Sequence, residues 1–470
     1  MIALTLDRIA EITQSRICGS ARPTDVVTGP VVIDSRQAGP GSLFVALNGE
    51  RVDGHDFATT AVAAGATAVL ASRPVEGPHL LVAGGDDEVV AALGRLAREV
   101  VDRLPQAEIV GVTGSSGKTT TKDLLAQVLG RLGPTIAPPG SFNNEIGHPL
   151  TALRADEQTR FVALEVSARG IGHIAYLCEV APPRIGIVLN VGSAHMGEFG
   201  SRAAIAQAKG ELVEGLPSAD AGGVAVLNAD DDAVATMAAR TDAKVVFYGL
   251  AENADVRATD VVLDTEGRAT FVLGIAGAQA PVRLSLVGVH QVHNALAVAA
   301  AAVELGMGIE EVAVALSEAE PVSRWRMEVS ERADGVTVVN DAYNANPESM
   351  AAALTTLAAL ATDRRAFAVL GHMAELGQTH RAEHERVGRQ VARSGVDVLV
   401  VVGDQAAPIA EGARGVADWQ GEIVGVSDVG QAVAALAERL RPKDIVMVKG
   451  SRVAGLEKVA EQLTGVEAAK

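Results

Sequence analysis

The chain has 470 residues, 48% of them hydrophobic, 21% charged and only 3% aromatic, with a formal net charge of −18. That length sets a prior of about three domains, whose cores must be packed with Ala, Val and Leu rather than rings. The acidic balance argues against a nonspecific nucleic-acid or membrane-surface binder, and the two cysteines, Cys18 and Cys178, are too few for a disulfide scaffold or a Cys-rich zinc site.

The opening stretch, MIALTLDRIAEITQ, carries acids early and has no basic segment followed by an apolar one, so it does not read as a signal peptide. The expected location is the cytoplasm. Short strands are expected at 31–33, 42–46, 68–70 and 80–82, alternating with helical patterns at 57–64 and 89–104. Leu104-Pro105-Gln106 marks a boundary, which makes residues 1–106 a first unit.

Immediately beyond it lies the apolar run 108–112, followed by a glycine-rich turn and the start of a helix; residues 111–122 read GVTGSSGKTTTK. Strand, turn and helix in that order make a phosphate cradle, because the backbone N–H groups of the turn and the positive end of the helix face the anion. Lys118 is placed to reach the β- and γ-phosphates and Thr119 to hold Mg²⁺. The loop departs from the generic G-x-x-x-x-G-K-[ST] pattern, since Val112 stands five residues before Gly117.

Apolar strands at 161–166, 185–190 and 223–227, separated by helical stretches, argue for a parallel, doubly wound sheet. From 256 to 287 the pattern becomes strand-rich and reads as an antiparallel insertion. The alanine-rich helix at 295–303 stops at Glu304, far short of the roughly 20 residues a membrane span needs. A third segment repeats the α/β rhythm, with strands at 336–340, 366–370, 396–402, 423–426 and 445–448 and helices at 347–360 and 429–440. The expected class is therefore α/β with three domains: 1–106, a central phosphate-loop parallel sheet at 107–325, and a Rossmann-like unit at 326–470. Ligands of open α/β sheets bind at the carboxyl ends of strands, where Asp341 and Lys449 fall.

Several residue groups carry candidate chemistry. Glu165 ends a strand beside the phosphate loop; it is either a solvated terminus or a direct or water-mediated ligand for Mg²⁺. His195 follows another strand, and Lys209 sits among small apolar residues; taken singly they are a structural histidine and a snorkelling surface cation. Asn294 opens the alanine-rich helix and can cap it, bind a ligand, or both. Arg326 sits at the second boundary, where a planar guanidinium suits phosphate, although a surface salt bridge is the plainer account. Residues 380–384, HRAEH, fit the H-x-x-E-H pattern of zinc peptidases, but a catalytic zinc also needs a third ligand and an open water position.

The variant phosphate loop, SFNNEIGHPLT at 141–151, NDAYNANPESM at 340–350, LGHMAELG at 370–377 and KGSR at 449–452 together resemble the ATP-dependent Mur ligases, which build the peptide of bacterial cell wall. IDSR at 33–36, with PGSLFVAL at 40–47 and GHDF at 54–57, resembles the family's uridine-nucleotide domain. The resemblance spans essentially the whole chain. It is nearest the branch that adds D-alanyl-D-alanine to a UDP-linked muramoyl tripeptide; the sister ligases and folylpolyglutamate synthetases share the phosphate loop but not SFNNE or NDAYNANP.

The resemblance implies an ATP-driven amide ligase working through an acyl phosphate. It assigns ATP to Gly114, Ser115, Ser116, Gly117, Lys118, Thr119, Thr120, Asn294, Arg326 and Asp341. Ser35 and Arg36 would contact the UDP portion, and Asn143, Asn144, Asn344 and Asn346 the substrates. Lys118, Glu165, His195 and Lys209 would be the catalytic set. One Mg²⁺ falls to Thr119 and Glu165, a second to Glu165, His195 and a carbamylated Lys209. Gln291 and Trp325 depart from the family pattern, which has an asparagine and a glycine there. A monomer is expected, with no nucleic-acid partner. The competing readings are a sister ligase with another amine acceptor and a zinc peptidase built on His380 and His384.

Overall fold

Continuous runs of Val, Ile, Leu and Ala, too short for helices and bounded by turn residues, become strands buried on both faces. The structure is a computed structural model and describes residues 1–49, 52–194 and 196–465. Three principal sheets follow one another along the chain.

The first has five strands in the order Arg16–Cys18, His79–Leu81, Ala68–Ala71, Leu43–Val45 and Val31–Val32; all neighbours are parallel except the first pair. Helix Asp86–Asp102 covers it with a buried stripe at Val89, Leu93, Leu96, Ala97 and Val100. The same stripe packs on Ala152, Leu153, Val162 and Leu164 of the central unit, so one core joins the first two units.

The central sheet has nine strands. Thr135–Ile136, Phe161–Glu165, Glu108–Thr113, Ile185–Val188, Val224–Asn228 and Lys244–Gly249 lie parallel in that order. The segment 256–287 is not a separate insertion. Its strand Val256–Leu263 pairs parallel with Lys244–Gly249, and Arg268–Ile275 and Ala278–Val287 then extend the same sheet antiparallel. The reason is packing: helix Gln291–Glu304 presents Ala295 to Ala302 to one core that contains Val226, Tyr248, Phe271 and Leu284. Alanines let that helix lie close to the sheet, so the added strands share its cover.

The third sheet has six strands, ordered Glu328–Glu331, Thr337–Asn340, Ile445–Lys449, Ala366–Leu370, Val398–Val402 and Glu422–Val426, with only the first antiparallel. Helix Pro347–Leu360 starts with proline inside the first turn and a reciprocal Asn346–Ser349 capping box. No helix among the described residues is long and apolar enough to cross a membrane.

Candidate active site

The phosphate-loop strand Glu108–Thr113 has Phe161–Glu165 on one side and Ile185–Val188 on the other. The chain leaves in opposite directions on its two sides, which opens a crevice at the carboxyl ends of these strands. The third sheet faces that crevice with the ends of Thr337–Asn340 and Ile445–Lys449. Between them lies a cavity of about 690 Å³.

The loop at its floor is held by Asn190, whose Oδ1 accepts from Ser115 N–H and Ser116 N–H, both at 3.0 Å. Gly192 N–H donates to Ser115 Oγ at 2.9 Å. Gly117 has φ +83°, and a Cβ there would stand 2.6 Å from Asn294 Oδ1. This is the reason for glycine: a side chain would both strain the backbone and fill the cradle. Lys118 folds back over the loop, donating to Gly114 O at 2.8 Å. Burial lowers its pKa, Glu165 opposes that shift and Arg326 adds to it.

Thr119 is the hub. Its hydroxyl donates to Glu165 Oε2 at 2.8 Å and accepts from Arg326 Nη2 at 2.7 Å. With its proton given to Glu165, it can only accept from Ser141 Oγ, 2.8 Å away. Ser141 in turn accepts from Arg326 Nη2 at 3.0 Å. Glu165, 2% exposed, takes Asn143 Nδ2 on its other oxygen at 2.7 Å. Arg326 stacks on Tyr343, with Cζ 4.2 Å from the ring centroid, and its Nε is buried without a hydrogen-bond partner. An orphaned guanidinium N–H beside a phosphate loop is an anion donor in waiting.

Thr119 Oγ1 and Glu165 Oε2 are hard oxygens 2.8 Å apart. That separation is a hydrogen bond, and Arg326 and Ser141 fill the hydroxyl's lone pairs, so the two oxygens suit Mg²⁺ by donor type but would have to exchange these partners to hold it. No group of three His, Cys, Asp or Glu side chains gathers to hold a metal among the described residues. Lys209 is 6% exposed on helix Arg202–Glu214. Burial and then the charge of Lys118 push its pKa well below the usual lysine value, favouring the neutral amine. His195 lies outside the described residues.

Across the cavity, Lys449 is 2% exposed and donates to Asp341 Oδ2 at 2.6 Å and to Asn344 O at 2.9 Å. Asp341 Oδ1 accepts from Met327 N–H at 3.1 Å, which fixes the connecting segment that carries Arg326. In that segment Trp325 and Met327 have φ +59° and +52°. Trp325 lies under Arg452, 4.2 Å from Cζ to ring centroid. Gln291 bridges His290 and Asn294: its Nε2 is 3.1 Å from His290 Nε2 and its Oε1 accepts from Asn294 Nδ2 at 2.7 Å.

One wall or another of this cavity thus contains Ser115, Ser116, Gly117, Lys118, Thr119, Thr120, Asn143, Asn144, Glu165, Asn294, Arg326, Asp341, Asn344 and Asn346. Gly114 lies just beneath, as the acceptor for Lys118. Asn144 closes its own turn onto Gly147 N–H at 2.9 Å, and Asn346 donates to Ser115 O at 3.2 Å. Ser35 and Arg36 stand apart in the first unit, on a 3₁₀ turn where Arg36 pairs with Asp34 at 2.7 Å. Ser141, Asn190 and Tyr343 were not among the sequence candidates. Ser141 and Tyr343 lie inside the quoted runs and could have been found there; Asn190 has only its place after a strand to signal it.

The H-x-x-E-H run is not a zinc site. His384 is fully buried, accepts from Met373 N–H on Nε2 at 2.9 Å and donates from Nδ1 to His380 O at 2.7 Å, so neither nitrogen is free to ligate. His380 Nε2 meets Gln405 O at 2.9 Å, and Glu383 pairs with Arg386 at 2.6 Å.

Comparison with known proteins agrees with this layout. The Mur ligase family catalytic domain matches residues 30–104, the Mur ligase middle domain 112–302, and the Mur ligase glutamate ligase domain 325–452. The UDP-N-acetylmuramoyl-tripeptide–D-alanyl-D-alanine ligase of Mycobacterium tuberculosis is 49% identical, with 98% of each chain covered. A crystal structure of MurF from Acinetobacter baumannii superposes with a TM-score of 0.87 at 31% identity, covering 98% of this chain and 99% of that one. MurF ligase from Thermotoga maritima in complex with ADP gives 0.80 at 31%, over 93% and 98%. The chain belongs to the Mur ligase family.

Proposed function

We propose that the chain joins D-alanyl-D-alanine to UDP-N-acetylmuramoyl tripeptide at the expense of ATP, a cytoplasmic step in peptidoglycan synthesis. The relatives carry that activity in their names over the full length of the chain. The observation in the molecule that supports it is the meeting at Thr119 Oγ1 of the phosphate loop, the 141–145 loop, Glu165 and Arg326.

A carboxylate is a poor electrophile and must be activated first. A carboxylate oxygen of the tripeptide forms a bond to the γ-phosphorus while the bond to the β,γ-bridging oxygen breaks, giving an acyl phosphate and ADP. The amine of D-alanyl-D-alanine then bonds to the acyl carbon, loses a proton, and inorganic phosphate departs. Lys118, Arg326 and the loop amides offset the negative charge that gathers on the transferred phosphoryl group. Thr119 and Glu165 would hold Mg²⁺, which when bound would supply further charge neutralisation there. A carbamate on Lys209, formed by its neutral amine and CO₂ with loss of one proton, would give a second carboxylate to act with Glu165 and His195 on a second ion. Asn294 and Asp341 serve the nucleotide. Asn143, Asn144, Asn344 and Asn346 serve the substrates or the loops that receive them, and Ser35 and Arg36 the UDP portion. Residues 1–106, 107–325 and 326–470 thus divide into UDP recognition, ATP chemistry and closure, all within a monomer.

The test is phosphate release from Mg-ATP with UDP-muramoyl tripeptide, with and without the dipeptide, while product mass is followed. Dipeptide-dependent release and a UDP-pentapeptide support the proposal. Release that needs a different amine overturns the acceptor assignment, and folded protein that releases no phosphate with any amine tested overturns the ligase. A ¹³C carbamate resonance in ¹³C-bicarbonate, lost in Lys209→Arg, tests the modification.

A further inference from the structure

Helix Pro347–Leu360 begins against the phosphate loop, and its first turn makes contacts that none of the roles above uses. Asn346 caps it, accepting from Ser349 N–H at 2.8 Å, and spends its own amide on Ser115 O. Two residues on, Glu348 reaches the loop that follows strand Ile185–Val188. Its Oε1 accepts from Ser193 N–H and Ser193 Oγ, both at 3.0 Å, and its Oε2 lies 3.1 Å from the same hydroxyl. Gly192 leaves no spare room, for a Cβ there would stand 2.6 Å from Glu348 Cδ. A carboxylate in the first turn of a helix is favoured by the helix dipole, so it is stable there while it accepts across the interface.

The other side of this loop holds the phosphate cradle. Asn190 fixes the N–H groups of Ser115 and Ser116, and Gly192 N–H fixes Ser115 Oγ. The short segment 190–193 therefore touches the cradle through Asn190 and Gly192 and Glu348 through Ser193. A third tie joins the same two units nearby, from Gly197 N–H to Glu375 O at 2.8 Å.

We infer that Glu348 is a positioning residue. It latches the third unit onto the 190–193 loop and, through Asn190 and Gly192, sets the phosphate-loop amides in their anion-binding arrangement when the two units meet. Its kinetic consequence rests on the ligase reading above; its structural consequence does not. The latch requires an acceptor at full reach. Glu348→Gln keeps one acceptor oxygen for Ser193 N–H, and the hydroxyl can turn to receive its amide. Glu348→Asp is one methylene short, and Glu348→Ala has no acceptor at all.

The experiment has two arms. In the first, kcat and KM for ATP are measured for the wild type, Glu348→Gln, Glu348→Ala, Ser193→Ala and the Glu348→Ala, Ser193→Ala double variant. Loss of the latch is expected to lower kcat/KM for ATP on the order of tenfold in Glu348→Ala, with Glu348→Gln restoring most of it and the double variant no worse than Glu348→Ala alone. In the second, small-angle scattering with Mg²⁺ and a non-hydrolysable ATP analogue is expected to give a larger radius of gyration for Glu348→Ala than for the wild type, at an unchanged thermal midpoint without nucleotide. Wild-type kinetics and scattering in Glu348→Ala overturn the inference. So do an additive double variant or a loss that follows a fall in the nucleotide-free thermal midpoint. A wild type that releases no phosphate counts against the ligase reading alone, and the scattering arm then judges the latch by itself.

Discussion

Replacing Arg326 tests the assembly of the site at its most connected point. The guanidinium donates to Thr119 Oγ1 at 2.7 Å and Ser141 Oγ at 3.0 Å and stacks 4.2 Å above the centre of Tyr343. Hydrogen bonds from a charged donor are worth about 1.5–3 kcal/mol and a partly desolvated cation–π contact about 0.5–2 kcal/mol. These contacts share one side chain and do not add fully, so Arg326→Ala should cost about 3 kcal/mol, on the order of a hundredfold in kcat/KM for ATP. Arg326→Lys keeps the charge but loses the planar stack and the forked donors. It should cost about 1–2 kcal/mol, or roughly five- to thirtyfold. The orphaned Nε makes the sharper claim. If it receives a phosphoryl oxygen whose charge grows during transfer, the lysine variant loses kcat more than it gains KM. Tyr343→Phe keeps the ring face and should stay within about twofold, whereas Tyr343→Leu should resemble the lysine variant. The assay is dipeptide-dependent phosphate release at varied ATP. Arg326→Lys at wild-type kcat/KM, or an Arg326→Ala defect confined to KM for the dipeptide, would refute the reasoning.

Gly117→Ala combines a left-handed backbone, worth about 1–2 kcal/mol of strain, with a Cβ only 2.6 Å from Asn294 Oδ1. ADP affinity by calorimetry should fall at least about tenfold, and wild-type affinity would show that the cradle tolerates a side chain. The buried histidines make stability pH-dependent: burial lowers the pKa of His148, His290 and His384 to about 4 in each case. Between that value and the unfolded histidine pKa of about 6.5 the unfolded chain binds more protons, so this stability is present above that window and is lost as pH falls through it. For His148, 1% exposed, the loss amounts to about 3 kcal/mol at most. Urea midpoints at successive pH values should therefore drop between pH 6.5 and 4 and drop less in His148→Leu; an equal slope in that variant would contradict the assignment.

Local pattern was enough for much of this molecule. The strand, glycine-rich turn and helix at 108–129 announce a phosphate site because its contacts are made by backbone close in sequence. Pro347 behind Asn346 announces a helix start for the same reason, and the helix begins there. The apolar runs at 366–370, 398–402 and 445–448 become strands because a chain buried on both faces has little choice of residue. Family membership, too, was legible in short runs spread over the chain. What the sequence could not decide is how distant segments meet. The strands at 256–287 carry an antiparallel signature but join the central sheet, since a strand's own residues do not specify which neighbour pairs with its edge. The H-x-x-E-H run has the local form of a metal site, and only burial under Met373 reveals that its lone pair is taken. Arg326 reaches Thr119 across 207 positions of chain, and Glu348 reaches Ser193 across 155. Such contacts leave no periodicity and no composition behind. They exist only because folding brings the central and third sheets to one crevice, and the residues that complete the site are those that the tertiary structure carries there.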